Sequence, residues 1–528
     1  MTSVVPDRAN GDLPLPEEMA GAVLTINLDA LRSNYRLLRE MAAPARCAAV
    51  VKANGYGLGA DLVAHTLEAE GCHDFFVAYV AEGLRLRRHL LANSTIYVLH
   101  SVPPGTEQLA ADHGLTPVLN TLEQVAAWQR QGRRSRRPLP AILQVDSGMS
   151  RAGLSPEDIE VVAAEPERLA GIAWVGTMSH LACSDAPDNS GNAHQLAAFR
   201  AARKRLATLA GGPGTAPASL AASSGIFLGR DYHFDLVRPG AALYGINPCP
   251  GRPSPMQPVV RLDARILQCR QVPAGTVVGY GHAWTAARPS RLATVSVGYA
   301  DNFPRSGSGC GSAFVGGVEA PFAGRISMDM LTLDITDVPA AAVEAEFPVE
   351  IIGPNRPLDA VAEASGTIAY ELLTGLSRRY HRRIVDSRED TCRALVHLQQ
   401  QPHRHRRRAY NSPVSLYAIL QLGGLLSCDT IYRPWKQPTF GRWAPIMVAT
   451  AFCVPFFFLH LIRLPISNYS GNLCSISTVA SIIIYLCVGI LVELIIEAIP
   501  SITSYPVEPP AEEAKRDALS QNMSLDAI

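Results

Sequence analysis

The stretch Val50-Val51-Lys52-Ala53-Asn54-Gly55-Tyr56-Gly57-Leu58-Gly59 decides the fold and the chemistry of this chain. It places Lys52 directly after an apolar run at 48–51 and ahead of a loop that contains three glycines. The pattern predicts a buried strand whose C-terminal end directs the lysine toward a ligand. Lysine forms Schiff bases with carbonyl cofactors, above all pyridoxal phosphate. An isolated lysine at a strand end is more often a surface residue, so this interpretation depends on the rest of the chain.

Short apolar runs alternate with helical spacing over the first half of the chain. The runs lie at 48–51, 75–79, 95–99, 141–145 and 172–177, and the helical stretches at 28–41, 60–70, 122–131 and 195–209. This alternation predicts an α/β fold with a (β/α)8 TIM-like barrel over 22–254. From 255 to 396, strand-like runs separated by glycines predict a mostly β C-terminal domain with one helix near 367–376.

Composition excludes several classes of protein. With 528 residues, the chain is long enough for two or three domains. Its 47 basic and 47 acidic side chains give no net charge, so charge provides no argument for a nucleic-acid partner. The 11 cysteines show no metal-ligand spacing, which indicates reduced thiols in a cytoplasmic protein without a bound metal. The N-terminal extension at 1–21 carries charges and prolines and does not resemble a secretory signal.

The last part of the chain has a different composition. Residues 397–442 are polar and basic, and we interpret them as a linker. Within 443–528, two runs are long enough to span a membrane, because 444–462 lacks Asp, Glu, Lys and Arg and 476–499 carries only two glutamates. Since basic residues precede the first run, we expect a hairpin at 444–499 that tethers the preceding domains to the cytosolic face of a membrane. A fusion or translation-frame artefact is the alternative, because the composition changes abruptly.

Six ordered blocks carry a specific resemblance to a known family. The blocks are Val50–Gly57, Asp146-Ser147-Gly148-Met149-Ser150-Arg151-Ala152-Gly153, Val237-Arg238-Pro239-Gly240, Gly279-Tyr280-Gly281, Val297-Gly298-Tyr299-Ala300-Asp301 and Gly324-Arg325-Ile326-Ser327-Met328-Asp329. With them, residues 22 to about 388 resemble alanine racemase, a pyridoxal-phosphate enzyme with a barrel domain followed by a β domain. Each block alone would be weak evidence, but six in this order leave little room for coincidence.

The resemblance implies that Lys52 holds the cofactor covalently and then acts as one of two bases. Removing the Cα proton on one face and returning it on the other is easier with a base on each side of the substrate. The lysine is assigned to the proton of the D-isomer, and Tyr280 to that of the L-isomer. Tyr280 reaches the site from the partner subunit, which implies a homodimer with shared active sites. Lys52 must be neutral to react, so its pKa must be depressed by burial or by a nearby cation.

The resemblance also implies cofactor-binding, substrate-binding and supporting residues. For the cofactor, it indicates Arg238 at the pyridine nitrogen, His180 against the ring, and Tyr56, Ser223, Gly240, Ala241 and Tyr370 at the phosphate. For the substrate carboxylate, it indicates the Arg151 guanidinium and the Met328 backbone N–H. Supporting positions near the substrate path and the tyrosine base are Tyr299, Arg305, Arg325 and Asp329.

Two positions depart from the family pattern. Gln144 stands where many members have a lysine whose carbamate fixes the arginine at position 151. We therefore expect a bound anion or the glutamine carbonyl to hold Arg151. Ala222 stands where the pattern usually has an asparagine, which could leave a polar group near the cofactor unpaired or paired with water.

We predict a racemase that interconverts L-alanine and D-alanine and supplies D-alanine for peptidoglycan. A broad-specificity or serine racemase of the same fold is the closest alternative. A pyridoxal-phosphate-binding regulator without turnover and an inactive, membrane-tethered structural protein are alternatives from other classes.

Overall fold

The computed structural model describes residues 16–209 and 211–388. These residues belong to one compact unit. The predicted linker at 397–442 and the predicted membrane hairpin at 444–499 lie outside the described residues. Within the described ranges, no helix is both long enough and apolar enough to cross a membrane.

Strands and helices alternate through the first half of the chain, and strands dominate the second. The strands are β1 (Ala22–Asn27), β2 (Arg46–Cys47), β3 (Ala49–Val50), β4 (Asp74–Val77), β5 (Thr95–Val98), β6 (Leu115–Leu119), β7 (Leu139–Gln144), β8 (Ile172–Met178), β9 (Ala218–Ser219), β10 (Leu236–Val237), β11 (Val260–Ala264), β12 (Ile266–Val272), β13 (Val277–Val278), β14 (Trp284–Thr285), β15 (Ser290–Val295), β16 (Ser312–Val315), β17 (Val318–Pro321), β18 (Leu331–Asp334), β19 (Val349–Ile352) and β20 (His381–Val385). The helices are α1 (Leu28–Ala42), α2 (Lys52–Tyr56), α3 (Ala60–Glu68), α4 (Val80–Arg87), α5 (Glu107–Asp112), α6 (Leu122–Arg134), α7 (Pro156–Ala164), α8 (Ser190–Leu206), α9 (Leu358–Ala364) and α10 (Ala369–Gly375).

A barrel-like parallel sheet forms the N-terminal half. Strands β3 to β9 pair in chain order, and β2 pairs with β10 in parallel. Phe75, Phe76 and Val77 of β4 are fully buried, as expected for parallel strands covered by helices on the outer face. The predicted alternation of strands and helices is therefore confirmed. Strand β6 was not predicted, because Pro117 interrupts its apolar run and proline argues against a central strand.

Helix α1 has a capping residue at its start and one apolar face, and both follow directly from the sequence. The Asn27 side chain accepts a hydrogen bond from Ala30 N at 3.0 Å and so caps the first turn. Leu31, Tyr35 and Leu38 follow at helical spacing and are buried. The helix thus covers one side of the parallel sheet and brings its start close to the β domain.

The C-terminal half is mostly β, as predicted. Its larger sheet has the strand order β17-β16-β19-β11-β1-β20, and a smaller sheet has the order β12-β15-β18. Strand β1, the first in the chain, lies in this larger sheet, where Ala22 pairs with Ala264 and Val23 pairs with His381. The predicted helix near 367–376 is α10. The β domain is therefore built from both ends of the described chain.

Contacts from β20 and the residues after it join the two halves near the Lys52 segment. A buried ion pair connects Arg32 Nη2 of α1 with Asp386 Oδ2 at 2.7 Å. Arg382 Nη1 of β20 donates a hydrogen bond to Gly57 O at 2.8 Å. The backbone after Lys52 is thereby fixed to the β domain.

Candidate active site

A cavity of about 1140 Å³ lies at the C-terminal ends of the parallel strands, with helix α10 at its edge. The predicted residues that line it are Lys52, Tyr56, Arg151, His180, Ser223, Arg238, Gly240, Ala241 and Tyr370, together with the two departures Gln144 and Ala222. The fold thus brings together side chains that are far apart in the sequence. This edge is where barrel enzymes place their active sites.

Lys52 begins a turn with unusual backbone geometry. Ala53, Asn54 and Tyr56 have φ angles of 53°, 55° and 52°. Left-handed conformations of this kind cost a residue with a side chain on the order of 1 kcal/mol each. Hydrogen bonds offset that cost: Gly57 N donates to Ala53 O at 2.9 Å, and Asn54 Oδ1 accepts from Ala60 N at 3.1 Å. The turn fixes the lysine at the end of its strand.

The surroundings of Lys52 favour the neutral amine. Burial and the positive charge of Arg151 lower the pKa of Lys52, while Glu82 opposes this effect. A depressed pKa is what a lysine needs to act as a nucleophile or as a base near neutral pH.

Arg238 is a buried cation. Its Nη2 donates to Ser179 O at 2.7 Å, and its Nη1 donates to Ser219 Oγ. Burial lowers the pKa of Arg238 to about 10, so the side chain stays protonated near pH 7. Among the described residues, no carboxylate forms an ion pair with it. These contacts hold the guanidinium rigidly where it can donate to a ligand.

A compact cradle of hydroxyl and backbone N–H groups lies near Ser223. Ser223 Oγ accepts hydrogen bonds from Gly240 N at 3.0 Å and from Ala242 N at 3.1 Å, so its own hydrogen is free to donate. A Cβ on Gly240 would lie 2.3 Å from Tyr56 Oη, so only glycine fits there. Burial raises the pKa of Tyr56, which keeps its hydroxyl a neutral donor. Small residues and donors of this kind suit a phosphate group.

His180 lies among the positively charged side chains of the cavity, and burial together with these charges keeps its ring neutral. Burial, and then the positive charges of Arg238, Arg151 and Lys52, lower the pKa of His180 to about 3. Its ring is therefore neutral near pH 7 and can stack on an aromatic ligand.

The cavity lining is rich in cationic groups, so it suits an anionic cofactor such as pyridoxal phosphate. The residues present therefore fit that cofactor.

Asp146 organises the loop that presents Arg151. Its Oδ1 accepts from the backbone N–H groups of Gly148 and Met149 at 2.9 Å, and from that of Ser150 at 3.2 Å. Gln144 Nε2 donates to Ala152 O at 3.1 Å. Gln144 thus holds the backbone beside Arg151, and in the described structure it forms no hydrogen bond with the guanidinium itself.

The remaining predicted residues form a second group on the β domain, outside the cavity lining. Tyr280 is 71% exposed and Met328 is 54% exposed. A Cβ on Gly281 would lie 3.1 Å from Arg325 Nη1, so this guanidinium lies against the turn that carries Tyr280. Asp329 Oδ1 pairs with Arg379 Nη1 at 2.8 Å. The other members are Tyr299, whose N–H donates to Ser327 O at 3.0 Å, and Arg305, which is exposed.

Three residues that shape the site were not predicted from the sequence. Asp146 followed by Ser-Gly is a signal for a local turn, so its role could have been found. Ser219 and Glu82 gave no signal, because their partners Arg238 and Ala53 are remote in the sequence.

Comparisons with known proteins agree with this geometry. The chain matches the families described as "Alanine racemase, N-terminal domain" over 26–248 and "Alanine racemase, C-terminal domain" over 259–384. It is 50% identical over 366 residues to "Alanine racemase, catabolic" of Agrobacterium fabrum, with 69% of this chain and 92% of that protein covered. It is 45% identical over 374 residues to alanine racemase of Rhodospirillum rubrum, with 71% of this chain and 98% of that protein covered.

A solved structure gives the same result. The crystal structure of alanine racemase from Bartonella henselae with covalently bound pyridoxal phosphate is 40% identical, with a TM-score of 0.65, and the match covers 69% of this chain and 100% of that one. The site geometry, the two family matches and these relatives lead to one conclusion. The chain belongs to the alanine racemase family.

Proposed function

We propose that this chain is an alanine racemase that interconverts L-alanine and D-alanine with pyridoxal phosphate as its cofactor. The observation that carries the proposal is the joint position of Lys52, Arg238 and Ser223 around one cationic cavity, in a chain 50% identical to a named alanine racemase. When bound, the cofactor supplies a ring that stabilises negative charge at the substrate Cα.

Lys52 and Arg238 have different tasks in this proposal. Lys52 binds the cofactor, and its freed amine takes or returns the Cα proton on one face, because its pKa is depressed. Arg238 donates a hydrogen bond to the ring nitrogen and keeps its own proton near pH 7. Because Arg238 keeps its own proton, it would leave that nitrogen without a full positive charge, which disfavours side reactions such as transamination.

Six residues bind the rest of the cofactor. His180 stacks on the ring, and its depressed pKa keeps it neutral there. The phosphate is bound by Tyr56, Ser223, Gly240, Ala241 and Tyr370, which all line the cavity.

The second base comes from another copy of the chain. Tyr280 is 71% exposed and does not line the cavity of its own chain. A homodimer would place it on the face of the substrate opposite Lys52, where the nearby Arg325 supplies positive charge. The exposed Met328 would bring its backbone N–H toward the substrate carboxylate beside Arg151. Supporting roles belong to Tyr299, Arg305, Arg325 and Asp329.

We also infer that the parallel strands close into a complete (β/α)8 barrel. Ala48 N donates to Val237 O at 2.9 Å, and Arg238 N donates to Ala221 O at 2.9 Å. These bonds connect the segment of β2 and β3 with β10, and β10 with the residues after β9. They support closure between the first and last strands.

The cellular role and location are further proposals. Supply of D-alanine for peptidoglycan follows from the reaction, whereas the relatives from Agrobacterium fabrum and Mesorhizobium japonicum are named catabolic. Growth of a D-alanine auxotroph on this gene would test the supply role. A cytoplasmic enzyme tethered through 444–499 stays a prediction, to be tested by membrane fractionation of the full chain.

Chiral chromatography tests the activity. The full chain with pyridoxal phosphate should convert L-alanine to a racemic mixture, and serine much more slowly. Faster serine turnover would indicate a serine racemase, and no turnover of either despite bound cofactor would contradict the proposal.

A further inference from the structure

Glu82 contacts the turn that carries Lys52, although it does not line the cavity. Its Oε1 accepts a hydrogen bond from Ala53 N at 2.8 Å. Its Oε2 accepts from Ala78 N at 2.8 Å and from Tyr79 N at 3.2 Å. One carboxylate therefore connects the Lys52 turn with the segment between β4 and α4.

The first backbone N–H groups of the Lys52 turn need a hydrogen-bond acceptor from outside the turn. The first N–H groups of a helical turn have no acceptor within the turn. Ala53 and Asn54 also have left-handed backbone angles, which persist only where the surroundings fix them. Glu82 supplies the acceptor for Ala53 N, the backbone group directly after Lys52. A carboxylate is a stronger acceptor than a neutral group, so this bond suits a strained turn.

We propose that Glu82 is a positioning residue for Lys52: its carboxylate caps the left-handed turn and places negative charge near the Lys52 amine. This inference rests on the proposed function, because it assumes that Lys52 acts as the base. Glu82 itself does not line the cavity. It acts through the backbone of Ala53 and through its charge.

The charges around Lys52 explain why a carboxylate is useful there. Arg151 after β7, His180 after β8, Arg238 after β10 and Glu371 of α10 line the same cavity. Burial and Arg151 lower the pKa of Lys52, and Glu82 raises it. A base works best when its pKa lies near the working pH, so too large a depression would weaken proton abstraction. Glu82 limits that depression.

The small number of lysines makes a direct test possible. The chain contains only Lys52, Lys204, Lys436 and Lys515. Lys204 is exposed on α8 and serves as an internal reference. In the full chain from which bound cofactor has been removed, Lys52 has a free amine. The rate of its acetylation relative to that of Lys204, followed by mass spectrometry against pH, then reports the titration of the Lys52 amine. Equilibrium binding of pyridoxal phosphate is the second readout.

Glu82→Gln keeps the length of the side chain and removes its charge. The matched control is Glu68→Gln, because Glu68 Oε1 also accepts from a backbone group, Leu91 N at 2.9 Å, and from Ser94 Oγ, but it lies at the end of α3. We expect Glu82→Gln to move the acetylation profile of Lys52 to lower pH and to weaken cofactor binding on the order of tenfold. Glu68→Gln should change neither quantity.

The proposal is overturned if the acetylation profile of Lys52 against pH is the same in Glu82→Gln as in the unsubstituted chain. This holds whatever the cofactor affinity of the variant. Glu82→Asp is the second variant: it keeps the charge but is too short to reach both segments. Its profile should stay in place while cofactor binding weakens, and unchanged binding would also overturn the proposal. Acetylation requires no turnover, so its outcome is separate from any failure of racemase activity.

Discussion

The hydroxyl of Tyr56 occupies the space in which a side chain on Gly240 would begin. A Cβ on Gly240 would lie 2.3 Å from Tyr56 Oη and 3.0 Å from its Cζ. Gly240 also donates its backbone N–H to Ser223 Oγ at 3.0 Å. The tyrosine, the glycine and the serine are therefore packed as one unit.

This packing predicts the effect of Gly240→Ala. The new methyl group must push Tyr56 or the backbone aside, and either movement disturbs the cradle that we propose for the phosphate. We expect the dissociation constant for pyridoxal phosphate to rise on the order of tenfold or more, measured by equilibrium fluorescence. Tyr56→Phe removes the closest atom of the clash as well as one phosphate donor, so the double variant should lose less affinity than the two single variants predict together. If Gly240→Ala binds the cofactor normally, the cradle is not where the phosphate binds.

Asp146 should affect substrate binding through the Arg151 loop. Asp146→Ala removes the acceptor of three backbone N–H groups, so the loop should become less ordered. We expect KM for alanine to rise about tenfold, with a smaller change in kcat. Asp146→Asn retains an acceptor oxygen and should recover most of the loss. As a control, Asp158→Ala removes a helix-capping carboxylate of α7 and should leave KM unchanged.

Burial of neutral His180 predicts a dependence of stability on pH. Its pKa is about 3 in the folded protein and near 6.5 in the unfolded chain. Below pH 6.5 the unfolded chain binds a proton that the folded protein does not, so stability falls as the pH drops from 6.5 to 3. The loss reaches at most about 5 kcal/mol. Urea unfolding at several pH values should show that His180→Asn has a weaker dependence than the parent chain. His65→Asn, an exposed control, should match the parent.

Much of the fold follows from local sequence signals. The apolar runs at 48–51, 75–79 and 95–99 became β3, β4 and β5, because a buried parallel strand requires a continuous apolar segment. The pairing of β1 with β11 and β20 was not predicted, since nothing local indicates which distant strand a short apolar run will join.

Part of the candidate site was likewise predictable from the sequence, and part was not. The family resemblance indicated most of the residues that line the cavity, but it gave no sign of the left-handed turn after Lys52. Ala53, Asn54 and Tyr56 are not glycine, and their positive φ angles depend on partners such as Glu82 and Arg382. The separation of Tyr280 from the cavity likewise depends on how the β domain lies beside the sheet. Such long-range relationships have no local signature in a single sequence.

A complementation measurement tests the central claim most directly. Lys52→Ala and Tyr280→Phe should each have very low racemase activity with alanine as homodimers. If two chains share each site, a heterodimer of the two variants contains one site with both bases intact and one with neither. Co-expression with two different affinity tags allows the heterodimer to be purified. We predict about half the activity of the unsubstituted enzyme for that heterodimer, measured by chiral chromatography. A heterodimer as inactive as the two parents would contradict the account.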